Sequence, residues 1–272
     1  MSSILRSIIL LYPLSVALMA QAQDAPNPGE IQIQGVTYDG IGCPQGSVGL
    51  DIAADAEAFT LIFDDYIVEQ EGPGVNQRHC NLKVNFQPPV GWQFALFSVQ
   101  VRGYANLDPG VVGVQKLRVN TQGPVLDVEM KVGGPLDDDY MVAEDALLQN
   151  IKWSKCQGAP EDIKVVSVTK VKGKPNSRGL LTVDSIDGSI SQEYGLAWRK
   201  CGNTSASVQS ICKAAGQRRN GKVKEFTGFA IGKNGQNVLQ RAKAKALKKC
   251  QNRPNVSSCE IVNCQSGSAA NF

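Results

Sequence analysis

Leu126-Asp127-Val128-Glu129-Met130-Lys131-Val132 alternates apolar and charged residues one for one. A period of two puts every apolar side chain on one face of an extended strand and every charge on the other. The same period recurs on both sides of this stretch. Val48, Leu50 and Ile52 follow it, then Phe59, Leu61 and Phe63, then Leu82, Val84 and Phe86, then Phe97, Val99 and Val101. Further on, the run from Ile190 to Trp198 repeats it, with Tyr194 and Trp198 on the inward face. Turn formers separate the runs: Gly72-Pro73-Gly74, Gln87-Pro88-Pro89, Asp108-Pro109-Gly110, Gly133-Gly134-Pro135 and Asp187-Gly188. Roughly nine or ten short strands with no long helix between them predict a mainly β protein, an antiparallel β-sandwich or jelly-roll-like domain over residues 31–205. Within it, Val142 to Leu148 reads as one helical turn, and Asp137 to Asp139 as part of a turn.

Beyond residue 205 both the period and the charge change. Residues 23–205 hold 15 Lys plus Arg and 23 Asp plus Glu, a balance of −8, whereas residues 206–272 hold 12 and 2, a balance of +10. Phe226 to Ile231 reads as a strand, Gly232-Lys233-Asn234-Gly235 as a turn and Asn237 to Cys250 as a helix. Leu239, Ala242, Ala246 and Cys250 share one helical face, with Arg241, Lys243, Lys245, Lys248 and Lys249 largely away from it. Cys259 to Val262 supplies a second strand. The pattern predicts a small disulfide-stapled β-α-β module over residues 206–272. A unit of under about 70 residues buries too little apolar surface to stand unaided, which gives its cysteines a structural role.

The chain opens with one positive charge at Arg6, an apolar run from Ile8 to Met19 and the small-residue pattern Ala20-Gln21-Ala22. These are the three parts of a signal peptide, placed at residues 1–22 and followed by a polar linker at 23–30; the apolar run is too short to cross a bilayer. No later stretch offers a transmembrane anchor. The expected location is secreted and extracellular, with the periplasm as the alternative. Cysteines stand at 43, 80, 156, 201, 212, 250, 259 and 264. An even set without a C-x-x-C pair in an exported chain points to disulfides, and two groups of four leave three connectivities in each.

Several ordered motifs resemble a known family. Ile33 to Tyr38 leads into Gly42-Cys43-Pro44-Gln45-Gly46-Ser47, then come Leu61 to Tyr66 and Arg78-His79-Cys80-Asn81-Leu82. Phe97 to Ala105, Asp184 to Ser189 and Leu196 to Cys201 look like its middle and end. Together they resemble the secreted family known as domain of unknown function 4360 over residues 31–201. The resemblance implies a single exported β-rich domain with Cys43 joined to Cys80 and Cys156 joined to Cys201, and it implies no activity. Such bridges would close loops of about 38 and 46 residues, worth about 4 kcal/mol each in the chain-entropy model. The last 70 residues lie outside the resemblance; there, Cys250 is expected to pair with Cys259 and Cys212 with Cys264.

Chemistry is harder to place. His79 is the single histidine, which excludes sites built on imidazole pairs, and no Gly-x-Ser-x-Gly elbow occurs. His79 adjoins Cys80, but a disulfide-bonded sulfur is no nucleophile. Calcium would suit the acidic turns, yet no Asp-x-Asp-x-Asp-Gly loop is present. No catalytic residue, metal site or cofactor is assigned. Arg78, Arg102 and Arg199 stand near strand ends; Trp92, in a loop beside Pro89 and Gly91, is the better surface candidate for sugar stacking, and Trp198 the better core residue. The leading expectation is a secreted non-enzymatic protein whose basic C-terminal module binds an anionic polymer, glycan or cell surface. Its anion-binding residues are Arg218, Arg219, Lys222, Lys224, Lys243, Lys245, Lys248 and Lys249. The alternative is a carboxylate-dependent hydrolase acting on extracellular polysaccharide. It requires two of Asp64, Asp65, Asp137, Asp138, Asp139, Asp184 and Asp187 to converge in one cleft, about 5 to 9.5 Å apart. An exported inhibitor or toxin-like effector fits the cysteine density without a motif of its own. Asn203 and Asn255 begin N-x-Ser sequons.

Overall fold

The computed structural model describes residues 25–121, 125–183, 192–202, 208–218, 221, 223–253 and 256–268. The expected signal peptide at residues 1–22, and Asp184, Asp187, Asn203, Arg219, Lys222 and Asn255, lie outside the described residues. In chain order the elements are β1 (Gln32–Asp39), β2 (Val48–Ile52), β3 (Ala58–Phe63), β4 (Ile67–Glu71), β5 (Gly74–Gln87), β6 (Trp92–Leu107), β7 (Val112–Asn120) and β8 (Leu126–Gly133). They continue with β9 (Leu136–Asp145), β10 (Glu161–Gly173), β11 (Arg178–Thr182), β12 (Gln192–Lys200), β13 (Val208–Arg218), β14 (Val223–Gly232), α1 (Gly235–Gln251) and β15 (Val256–Ser268).

The fold is mainly β, and every strand pair is antiparallel. One sheet runs β1-β5-β10-β7-β8, the other β2-β3-β12-β6-β11-β4, with β9 along the opposite edge of β6. β8 is the stretch whose alternation announced the fold: Leu126 and Val128 are buried, while Asp127, Glu129 and Lys131 face solvent. Across to β7, Lys116 pairs with Glu129 at 3.0 Å. No helix among the described residues is long and apolar enough to cross a membrane.

Two local expectations are corrected. Asp137 to Asp139 are not a turn; they open β9 and pair with Asn106, Ala105 and Tyr104 of β6. The turn ends at Pro135, and charge on an edge strand hinders unwanted pairing with another chain. Nor is Val142 to Leu148 a helical turn: β9 runs to Asp145, and the short 3-10 turn begins only at Leu148.

Aromatic side chains fill the space between the sheets. Phe59 of β3 stacks on Tyr194 of β12 with ring centroids 4.5 Å apart, and Phe86 of β5 lies 4.7 Å from Phe94 of β6. Trp198 is buried, and its indole N–H donates to the Ala56 carbonyl at 2.6 Å. Trp92 is not a surface residue. It opens β6, is 9% exposed and meets Trp198 edge-on at 6.4 Å. The structure joins Cys43 to Cys80, which ties the loop after β1 to β5, and Cys156 to Cys201, which ties the segment before β10 to the end of β12.

Polar side chains also occupy inward positions. Gln115 of β7, Ser167 and Thr169 of β10, and Gln192 of β12 are each fully buried. The Gln115 and Gln192 amides both donate to Ser167 Oγ, at 3.1 and 3.2 Å, from opposite sheets. Thr169 Oγ1 donates to Gln115 Oε1 at 2.5 Å, and the Tyr194 hydroxyl to Gln192 Oε1 at 2.7 Å. The Tyr66 hydroxyl donates to the Ser167 carbonyl at 2.8 Å. Burial raises the pKa of both tyrosines, so they remain neutral donors. Removing one donor strands a buried acceptor, at about 1–3 kcal/mol. Tyr194→Phe should therefore lower unfolding stability by about that amount with little change in denaturant slope, as read by urea titration.

Candidate functional site between the sandwich and the basic module

The C-terminal segment folds as a three-stranded sheet, ordered β14-β13-β15, with α1 against it. It carries one strand, β13, before the β-α-β unit that the sequence pattern outlines. β13 is central and buried on both sides for most of its length, so no alternation marks it. α1 starts at the Asn234 cap, whose side chain accepts from the Asn237 amide. It buries Val238, Ala242, Ala246 and Cys250, with Leu239 packed at the margin of that cluster. Gly228 of β14 makes the close approach possible, because a Cβ there would collide with the Ala242 and Ala246 backbone. Two disulfides close the unit: Cys212 and Cys264 face each other across β13 and β15, and Cys250 pins the end of α1 to Cys259 of β15.

This module docks on the sandwich. Phe229 of β14 stacks on Phe97 of β6 at 5.4 Å and lies 6.2 Å from Trp153. Ion pairs surround that apolar contact. Lys213 meets Asp145 at 2.8 Å, Arg253 meets Glu193 at 3.2 Å, Arg218 approaches Asp139 at 3.9 Å, and Lys245 pairs with Glu57. Gln209 donates to the Leu148 carbonyl at 2.8 Å, and Thr227 to Asp145 at 3.2 Å. The opposite charges of the two halves are thus partly spent on each other.

Two cavities of several hundred Å³ lie along this junction among the described residues. A cleft of about 360 Å³ is lined by Asp51, Asp55, Asp145, Glu193 and Glu225 and by Arg102, Lys249 and Arg253. A second, of about 320 Å³, is lined by Arg102, Asp139, Tyr140, Arg218 and Lys224. Arg102 borders both. It sits within β6, 6% exposed, rather than at a strand end. Arg199 stacks over Trp153 at 4.5 Å, and Arg78 donates to the Ile41 carbonyl at 2.8 Å.

The six basic candidates among the described residues do not form one face. Arg218 and Lys224 line the second cavity, Lys249 the first, and Lys245 turns to Glu57. Lys243 is half-buried on α1 and Lys248 is exposed. Of the aspartates required by the hydrolase reading, Asp64 and Asp65 are exposed between β3 and β4, Asp137 accepts from the Tyr104 hydroxyl, and Asp139 approaches Arg218. Among the described candidates only Asp139 lines either cavity. The carboxylates of the larger cleft are a different set, contributed by β2, β9, β12, β14 and the loop after β2. No sequence pattern links them: four come from separate parts of the sandwich, and Glu225 of β14 joins them when the module docks.

A two-sheet, disulfide-stapled β domain with a third, helix-backed sheet packed on it is the class this architecture defines. The chain belongs to the family described as Domain of unknown function (DUF4360), whose model matches residues 29–201 and leaves the basic module outside. A relative from Arthroderma benhamiae, an uncharacterized secreted protein, is 39% identical over 187 residues, covering 66% of this chain and 76% of its own length. The four disulfides fit an oxidising compartment.

Charge at the junction is unevenly balanced. Burial, reinforced by Arg102, Arg253 and Arg218 and opposed by Glu193, lowers the Lys224 pKa to about 7. An unfolded lysine titrates near 10.4. Between these values the unfolded chain holds a proton that the folded chain has released, so this residue makes stability rise as pH climbs from about 7 to about 10.4. For Lys213, burial lowers the pKa, but Asp145 and Glu225 more than offset it, and the net shift is upward. Its contribution is complete below the unfolded value and fades at higher pH. Lys224→Met should flatten the rise relative to wild type across pH 7 to 10, measured by urea unfolding at each pH. An unchanged slope would show that Lys224 is not the group responsible.

Proposed function

We propose that this is an exported, non-enzymatic protein that holds an anionic polymer or surface through its basic C-terminal module. The observation that carries the reading is the balance of +10 in residues 206–272, which exceeds what docking consumes. Four of the module's cations, Lys213, Arg218, Lys245 and Arg253, pair with sandwich carboxylates. Lys243, Lys248 and Lys249 have no carboxylate partner among the described residues. A concentration of like charge draws polyanions by long-range attraction and by release of their counterions. Export is supported by the disulfides and by the secreted relative.

The test uses the whole mature chain, because the module's Phe229 and its ion pairs need the sandwich. Retention on immobilised heparin should fall with salt, and Lys243→Ala with Lys248→Ala should reduce the log–log salt slope by about 2. Elution of the wild-type chain together with a neutral protein of similar size would sink the reading.

A further inference from the structure

The second cavity has an unusual wall. Lys224 is 4% exposed, and no carboxylate pairs with it among the described residues; its ammonium lies 5.4 Å from the Phe226 ring centroid. Arg218 and Arg102 line the same space of about 320 Å³, and Asp139 is its one carboxylate among the described residues. Asp139 stands 3.9 Å from Arg218. A buried ammonium without a counter-ion is costly, and proteins ordinarily pair it or leave it neutral. Here two guanidiniums are added beside it instead, one from each part of the molecule: Arg102 from β6 of the sandwich and Arg218 from β13 of the module. The cavity falls at the small end of ligand sites, large enough for one sugar-sized acid.

We propose that this cavity is a binding site for a single oxyanion group, the carboxylate or sulfate of one acidic sugar residue, held by Lys224, Arg218 and Arg102. The choice of a sugar acid rests on the polyanion reading above; the oxyanion chemistry does not. Guanidinium and ammonium donors give charge-assisted hydrogen bonds to such a group; Arg102 already donates from Nε and Nη2 to Gln100 Oε1 and adds mainly its charge, while Arg218 can offer the paired donors of its fork. An arriving anion supplies the charge that Lys224 lacks and favours its protonated form. Arg102, Arg253, Arg218, Glu193 and Asp139 are the charged neighbours that set the background for this titration.

The experiment titrates the full mature chain, by calorimetry at pH 6, with inorganic sulfate, with glucuronate and with a heparin oligosaccharide. One saturable site is expected for sulfate, weakened about 10- to 100-fold by Arg218→Ala or Lys224→Met and unchanged by Lys243→Ala with Lys248→Ala. Affinity should decline as the pH passes about 7, where Lys224 loses its proton. Arg218 is partly exposed, so its substitution keeps the test valid should Lys224→Met fail to fold. Unsaturable sulfate binding, or binding indifferent to Arg218→Ala, overturns the site even where heparin is retained through the helix lysines. Saturable sulfate binding without heparin retention upholds the site, assigns it to a free small anion and removes the polymer reading.

Discussion

Ser167 takes hydrogen bonds from both sheets at once, from Gln115 beside it and from Gln192 opposite. Apolar packing between sheets is non-directional and tolerates sliding. A buried hydrogen-bond cluster does not, because a shift of one residue would leave several polar groups dry and unpaired. The cluster therefore fixes where β12 lies over β10. That position in turn places Trp198 beneath Ala56 and sets Glu193 where Arg253 meets it. The surface on which the module rests is laid out from the inside of the sandwich.

Docking changes the meaning of the charge split. Two halves of opposite sign read as two modules with separate partners, yet in the folded chain each supplies part of the other's counter-charge. Pairs such as Lys245 with Glu57 are well shielded, with side chains 22% and 15% exposed, and breaking one leaves a charge in a poorly hydrated place. The module's positive balance is then of two kinds. Some cations hold the molecule together, and others, Lys243 and Lys248 on α1 and Lys224 at the second cavity, pair with no carboxylate among the described residues.

The strands of the sandwich were legible wherever one face was wet, as in Leu126 to Val132. Legibility failed where both faces were covered. β13 shows almost no alternation because α1 lies on one side and the sandwich on the other, whereas β6, which runs from Trp92 to Leu107, was legible only from Phe97 to Val101. Inward polar residues such as Ser167 and Gln192 look like surface residues in a pattern of apolar and polar letters. The helical face from Ala242 to Cys250 was visible from its spacing. What the opposite face touches was not, since Glu57 and Lys245 stand far apart in the chain. The cavities share that history: Arg102 is one arginine in a strand until β14 brings Lys224 to it.

Phe97 and Trp153 are covered by Phe229, which belongs to a segment outside the stretch that defines the family. A related chain ending at the position of Cys201 would present that aromatic patch to water. Such a chain must carry smaller or polar residues there, or cover the patch with another molecule. In such a chain the residues at these two positions would report whether the patch is covered from within or by a second molecule.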